Sequence, residues 1–129
     1  MRPLLAIFAL VPALTGCQPG PFGSATAVDP LARSLSGQVA GPAQSCIAPP
    51  TNQNVMVIDA STVAYDVGRT LWVNRLQHAC PSLSPHNNVI IEHGGAQVCR
   101  GDRVRGLEPG ASIPGPSCNL QDWVPYRTR

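Results

Sequence analysis

Lysine is absent from the 129 residues, and all nine basic side chains are arginines. Seven Asp and Glu nearly balance them. The chain therefore carries no electrostatic footprint for nucleic acid or for an anionic membrane surface. Charged residues make up only 12% of the sequence, which excludes a polyelectrolyte and a coiled coil. No apolar stretch reaches the roughly 20 residues that a membrane-spanning helix needs. No two cysteines stand in a Cys-x-x-Cys spacing, so a thioredoxin-like redox centre has no basis. The order of His78, Cys80, His86, His93 and Cys99 matches no zinc motif. No internal repeat is visible. What the chain does have is proline and glycine, fourteen of one and twelve of the other, and five cysteines.

The first of those cysteines closes a leader. Met1-Arg2 gives a short positive start, and Leu4 to Leu14 is uncharged and rich in Leu, Ala, Ile, Phe and Val. That length suits the core of a secretory signal. Leu14-Thr15-Gly16-Cys17 follows and resembles a bacterial lipobox. The resemblance implies cleavage before Cys17, a lipid on its sulfur and acylation of the new N-terminus. One acyl chain holds a protein only marginally, whereas several on one residue hold it firmly. Gln18 stands where an aspartate would signal inner-membrane retention, so the analogy favours the periplasmic face of the outer membrane. The expected organisation is a signal peptide over 1–16, a lipidated Cys17 with a flexible tether over 17–29, and a small domain over 30–129.

Cys46, Cys80, Cys99 and Cys118 remain. An even number of cysteines in an exported chain reads as two disulfides, with three connectivities open. A domain of this size is marginal on burial alone, and cross-links offset that.

The spacing of apolar and turn residues predicts a mainly β fold: a small antiparallel sheet or partly open barrel made of two hairpins and flanking strands. Asp29-Pro30 reads as an N-cap and first helical residue, with a short helix over 30–40. Val55–Ile58 has strand length. Ser61–Val67 and Thr70–Asn74 form a first hairpin around Gly68-Arg69, a two-residue type II′ turn. This register sets Tyr65 opposite Trp72, with Val63 and Val67 on their face and Ala64, Leu71 and Val73 on the other. Val89–His93 and Ala96–Arg100 read as a second hairpin around Gly94-Gly95, pairing Ile91 with Val98 and Ile90 with Cys99. Val104–Leu107 adds a strand, 108–116 an irregular loop, and Cys118–Tyr126 an end segment with Trp123 and Tyr126 packed down.

A set of short motifs then comes into view: Gly41-Pro42, Cys46-Ile47, Asn74-Arg75-Leu76, Cys80-Pro81-Ser82-Leu83, Val98-Cys99-Arg100-Gly101-Asp102 and Gly115-Pro116-Ser117-Cys118. Together they resemble a family of short exported bacterial proteins defined only as a domain of unknown function. The likeness spans about residues 35–126. Ser82 and Asn119 stand where that family often has glycine. The resemblance implies one compact domain with structural cysteines and brings no catalytic residues with it.

Candidate chemistry is sparse. Asp59, Asp66, Glu92, Asp102, Glu108 and Asp122 are scattered, and paired carboxylates doing acid–base work would need a shared groove. Arg100-Gly101-Asp102 spells an adhesion tripeptide, but a glycine after Cys99 also suits a tight turn with Asp102 bonding local backbone. Arg100, Arg103 and Arg105 are candidates for contact with an anionic group, or else a charged edge that blocks aggregation. No cofactor or metal is expected. Two readings stand. One is a non-enzymatic accessory module, held to the envelope membrane through Cys17 and meeting an envelope protein or glycan. The other is a small envelope enzyme or inhibitor with a carboxylate or histidine site. The shape of the surface around Glu92, His93 and Arg103 separates them.

Overall fold

Both faces of the Val63–Val67 segment are apolar, so it needs a packed layer on each side. The computed structural model describes residues 29–49 and 55–128 and provides those layers. The leader, Cys17 and the tether up to residue 28 lie outside the described residues. In chain order the elements are α1 (Pro30–Ser34), β1 (Gln38–Ala40), β2 (Cys46–Ile47), β3 (Met56–Asp59), β4 (Thr62–Val67) and β5 (Thr70–Arg75). They continue as β6 (Asn88–Glu92), β7 (Val98–Cys99), β8 (Arg103–Leu107), β9 (Cys118–Asn119) and β10 (Trp123–Thr128). The strands form three antiparallel sheets, ordered β1-β10-β5-β4-β3, β2-β7 and β6-β8-β9, and none closes into a barrel.

The first hairpin has the expected register. Val67 pairs with Thr70 across Gly68-Arg69, and Tyr65 faces Trp72. Gly68 has φ +63 and Arg69 a negative φ, which is the signature of a turn with glycine at its first central position. The two faces divide as the alternation requires. Val63, Tyr65 and Trp123 join a core with Ile47, Leu76, Cys80, Leu83, Val98, Val104 and Leu120. Ala64, Leu71 and Val73 pack with Leu31 of α1 on the other side, where Tyr126 is half-buried. The sheet is thus sandwiched between the helix and the two smaller sheets.

Asp29 caps α1 by accepting from Leu31 N–H at 2.9 Å. The helix ends at Ser34, well short of residue 40, because Leu35 and Gly37 (φ +75) turn the chain into β1. Strand β10 lies between β1 and β5 and yet carries Pro125. Gly41 N–H donates to the Pro125 carbonyl at 2.7 Å. In an extended strand the nitrogen of a residue faces the same side as its carbonyl. The missing donor therefore falls where β1 ends and not in the ladder with β5. Trp123 is fully buried, its ring 5.5 Å from that of Tyr65. Asn74 is also fully buried, and its amide exchanges bonds with the backbone of Gln121 (2.6 and 2.9 Å).

The second hairpin is corrected. β6 pairs with β8, so Ile91 faces Val104 and Ile90 faces Arg105. β7 pairs instead with β2, setting Cys99 against Cys46 and Val98 against Ile47. A type I′ turn needs positive φ at both central residues, and neither Gly94 nor Gly95 has it.

Burial raises the Tyr65 phenol above its ordinary value of 10.0. The folded state thus holds this proton more tightly than the unfolded chain. The corresponding stability is complete below about pH 10 and is lost as pH rises through the folded-state value. Chemical denaturation across the alkaline range should show a falling midpoint, and Tyr65→Phe should flatten that fall.

Candidate functional site

Alternation along β6 and β8 puts Asn88, Ile90 and Glu92 on the same face as Arg103, Arg105 and Leu107. There Glu92 takes two guanidinium partners: Arg103 Nε at 3.0 Å on one carboxylate oxygen, and Arg105 on the other. Arg105 Nε is buried and has no acceptor among the described residues. The group carries two positive charges against one negative. Arg103 is exposed and Glu92 partly so, so water screens that pair and it contributes at most about 1 kcal/mol.

Arg100 does not join that pair. It sits after β7 and bonds Asp122 at 3.1 Å. Asp102 N–H donates to the Cys99 carbonyl at 3.1 Å, Gly101 has φ +93, and Cys99 N–H donates to the Asp102 carboxylate at 2.7 Å. The tripeptide is thus a tight turn whose charged ends bond within the domain. Asp59 likewise accepts from the N–H and hydroxyl of Ser61, both at 2.7 Å. His78, His86 and His93 are exposed. Among the described residues no three His, Cys, Asp or Glu side chains gather where a metal ion could be held.

The cysteines settle into Cys46–Cys99 and Cys80–Cys118. The first ties the two strands of the β2-β7 ladder at directly opposed residues. The second joins the loop after β5 to β9, with Cys80 fully buried.

Ser82 emerges as the organiser of a cleft, a role its sequence surroundings do not announce. Its hydroxyl donates to the Pro116 carbonyl at 2.7 Å and accepts from Gly106 N–H at 3.0 Å. Asn87 holds the Ser82 carbonyl at 2.9 Å, and Gly115 N–H reaches the Gly106 carbonyl at 2.9 Å. The loop 108–116 is thereby folded against β8. It leaves a cleft of about 300 Å³ with Asn87, Glu108 and Ile113 at its walls, Ile113 being 83% exposed. The available signal was Gly106 inside an alternating strand, which marks a close backbone approach. Three further clefts of about 260 to 340 Å³ open elsewhere, one of them beside Gln77, His78 and Gln121. None of these four is lined by Glu92, His93 or Arg103.

No family model matches this chain, and no curated protein or solved structure matches it either. No helix of the described residues is long and apolar enough to cross a membrane.

Proposed function

We propose that the protein is a lipid-anchored module of the cell envelope. In this reading it is fastened through Cys17, faces the periplasm, and acts by binding an envelope protein or glycan or by a structural role, not by catalysis. The observation that carries the reading is the pairing of Cys46 with Cys99 and Cys80 with Cys118. It uses every cysteine after the leader and leaves Cys17, at the end of the lipobox-like run, as the odd thiol. Disulfides of this kind are compatible with an oxidising compartment. The resemblance to short exported bacterial proteins points the same way. The binding role is supported by how the polar groups are used. Ser82 is committed to two backbone partners, the arginines to Glu92 and Asp122, and the exposed histidines are spread over the β5–β6 connection (His78, His86) and the segment after β6 (His93). A nucleophile needs a base within hydrogen-bond reach, and these groups supply no such pair.

Metabolic labelling with a palmitate analogue tests the anchor. The membrane-bound protein should carry label, and Cys17→Ala should remove it. An unlabelled wild-type protein overturns the proposal.

A further inference from the structure

We infer that β6 is a homodimer edge, along which two copies pair antiparallel about Ile90 and join their β9-β8-β6 sheets into one. This inference stands on backbone geometry and does not rest on the envelope reading.

Gly106 N–H is bonded to Ser82 and its carbonyl to Gly115, while the Asp102 carbonyl is bonded to Leu120 N–H. The even-numbered residues of β8 therefore face β9, and Arg103, Arg105 and Leu107 bond β6. Their partners are Glu92, Ile90 and Asn88. The N–H and C=O groups of Val89 and Ile91 consequently point away from β8, and none of them has a partner among the described residues.

The other edges are blunted and this one is not. β1 has three residues, its Gln38 N–H is bonded to the Leu35 carbonyl, and Pro42 follows. β3 is broken by a register shift between Val57 and Asp59. β2, β7 and β9 have two residues each. β6 runs five residues with no bulge, lysine or proline. Long apolar edges without such devices are where another strand pairs.

A second copy fits this edge by its own sequence. With Ile90 opposite Ile90, Val89 of each chain faces Ile91 of the other, and those are the residues whose backbone groups point outward. Asn88 then faces Glu92, an amide donor beside a carboxylate that still has lone pairs free. On the core side, Val89 and Ile91 are only partly buried. The same two side chains from the second copy would cover them.

The two Ile90 residues form a non-hydrogen-bonded pair, with Cα atoms about 4.5 Å apart, within reach of a disulfide. The full chain carrying Ile90→Cys, in membranes or detergent, should therefore oxidise to a covalent dimer far faster than Ile113→Cys at its exposed loop position. Adding Val89→Pro removes an outward-facing N–H and replaces a side chain that is only partly buried against the core, so the monomer should keep both native disulfides while the cross-link falls to the Ile113→Cys level. The inference is overturned if Ile90→Cys links no faster than Ile113→Cys, or if linking survives Val89→Pro.

Discussion

Gly106→Ala should leave little or no folded protein. A Cβ at this position would lie far inside contact with the Ser82 carbonyl oxygen and 2.8 Å from its carbonyl carbon. Both atoms are backbone, so no rotamer change relieves the clash. Ser82 is also held by Asn87 and by Pro116, and Cys80 two residues earlier is tied to Cys118. The loop cannot retreat without opening the cleft and moving a disulfide. The expected cost exceeds about 4 kcal/mol, the range reached only by gross backbone or core disruption. It is comparable with the whole stability of a small domain, about 5–15 kcal/mol. Gly115→Ala provides the internal control. Its Cβ would come within 2.5 Å of the Ser82 Cβ and 3.5 Å of the Cα. Ser82→Gly removes that Cβ together with the hydroxyl and so lowers stability by itself, but in that background the further cost of Gly115→Ala should shrink while that of Gly106→Ala should not. Denaturant midpoints of the single and double variants, read against oxidised wild type, check the pattern. Equal rescue of both glycine variants would show that side-chain crowding, not backbone contact, sets the requirement.

Loss of the disulfides is the second large effect. They close separations of 53 and 38 residues, for which the loop-closure account gives about 4 kcal/mol each. The loop terms are nearly equal, so the difference lies in what else holds each junction. Cys46 and Cys99 stand in a ladder that Arg100 N–H extends by bonding the Ser45 carbonyl at 2.7 Å. Cys80 lies in a stretch without strand pairing, buried beside Leu76 and Leu83. Its bond to Cys118 ties that stretch to β9 alongside the Ser82 hydroxyl on the Pro116 carbonyl, and Cys80 is fully buried where Cys46 and Cys99 are only partly so, which makes its removal the more costly. The Cys80→Ala/Cys118→Ala variant should therefore lose more stability than Cys46→Ala/Cys99→Ala, and reduction of both bonds should unfold the domain. Urea titrations with and without dithiothreitol measure this. A reduced wild-type protein that keeps its cooperative transition would remove the structural role assigned to sulfur.

Local chemistry announced the first hairpin fully. Gly68 offers the positive φ that its turn needs, and the alternation from Val63 to Val67 leaves one register that sets the buried Tyr65 against the half-buried Trp72. Gly94-Gly95 carried an equally strong turn signal and misled. The competing term was non-local: Cys99 is bonded to Cys46, and Val98 is buried against Ile47. The vacated place beside β6 went to β8, where Glu92 meets Arg103 and Arg105. Those opposite charges were the sequence signal for that pairing, since cross-strand ion pairs stabilise a register. The turn that mattered was Gly101, legible from its place between Cys99 and Asp102. The Ser82 cleft was legible only as the close approach that Gly106 marks, because it otherwise depends on two loops meeting β8 through backbone groups that no residue type encodes. Disulfide connectivity was hidden for the same reason, as all three pairings satisfied the count.

The most direct test of the whole account is the intact mass and non-reducing peptide map of protein extracted from membranes and alkylated without reductant. The account predicts no alkylation at the four later cysteines, cross-linked peptides joining Cys46 to Cys99 and Cys80 to Cys118, and an acylated Cys17 at the N-terminus. An alkylated thiol among the four, a different pairing, or a Cys17 without acyl mass would contradict it.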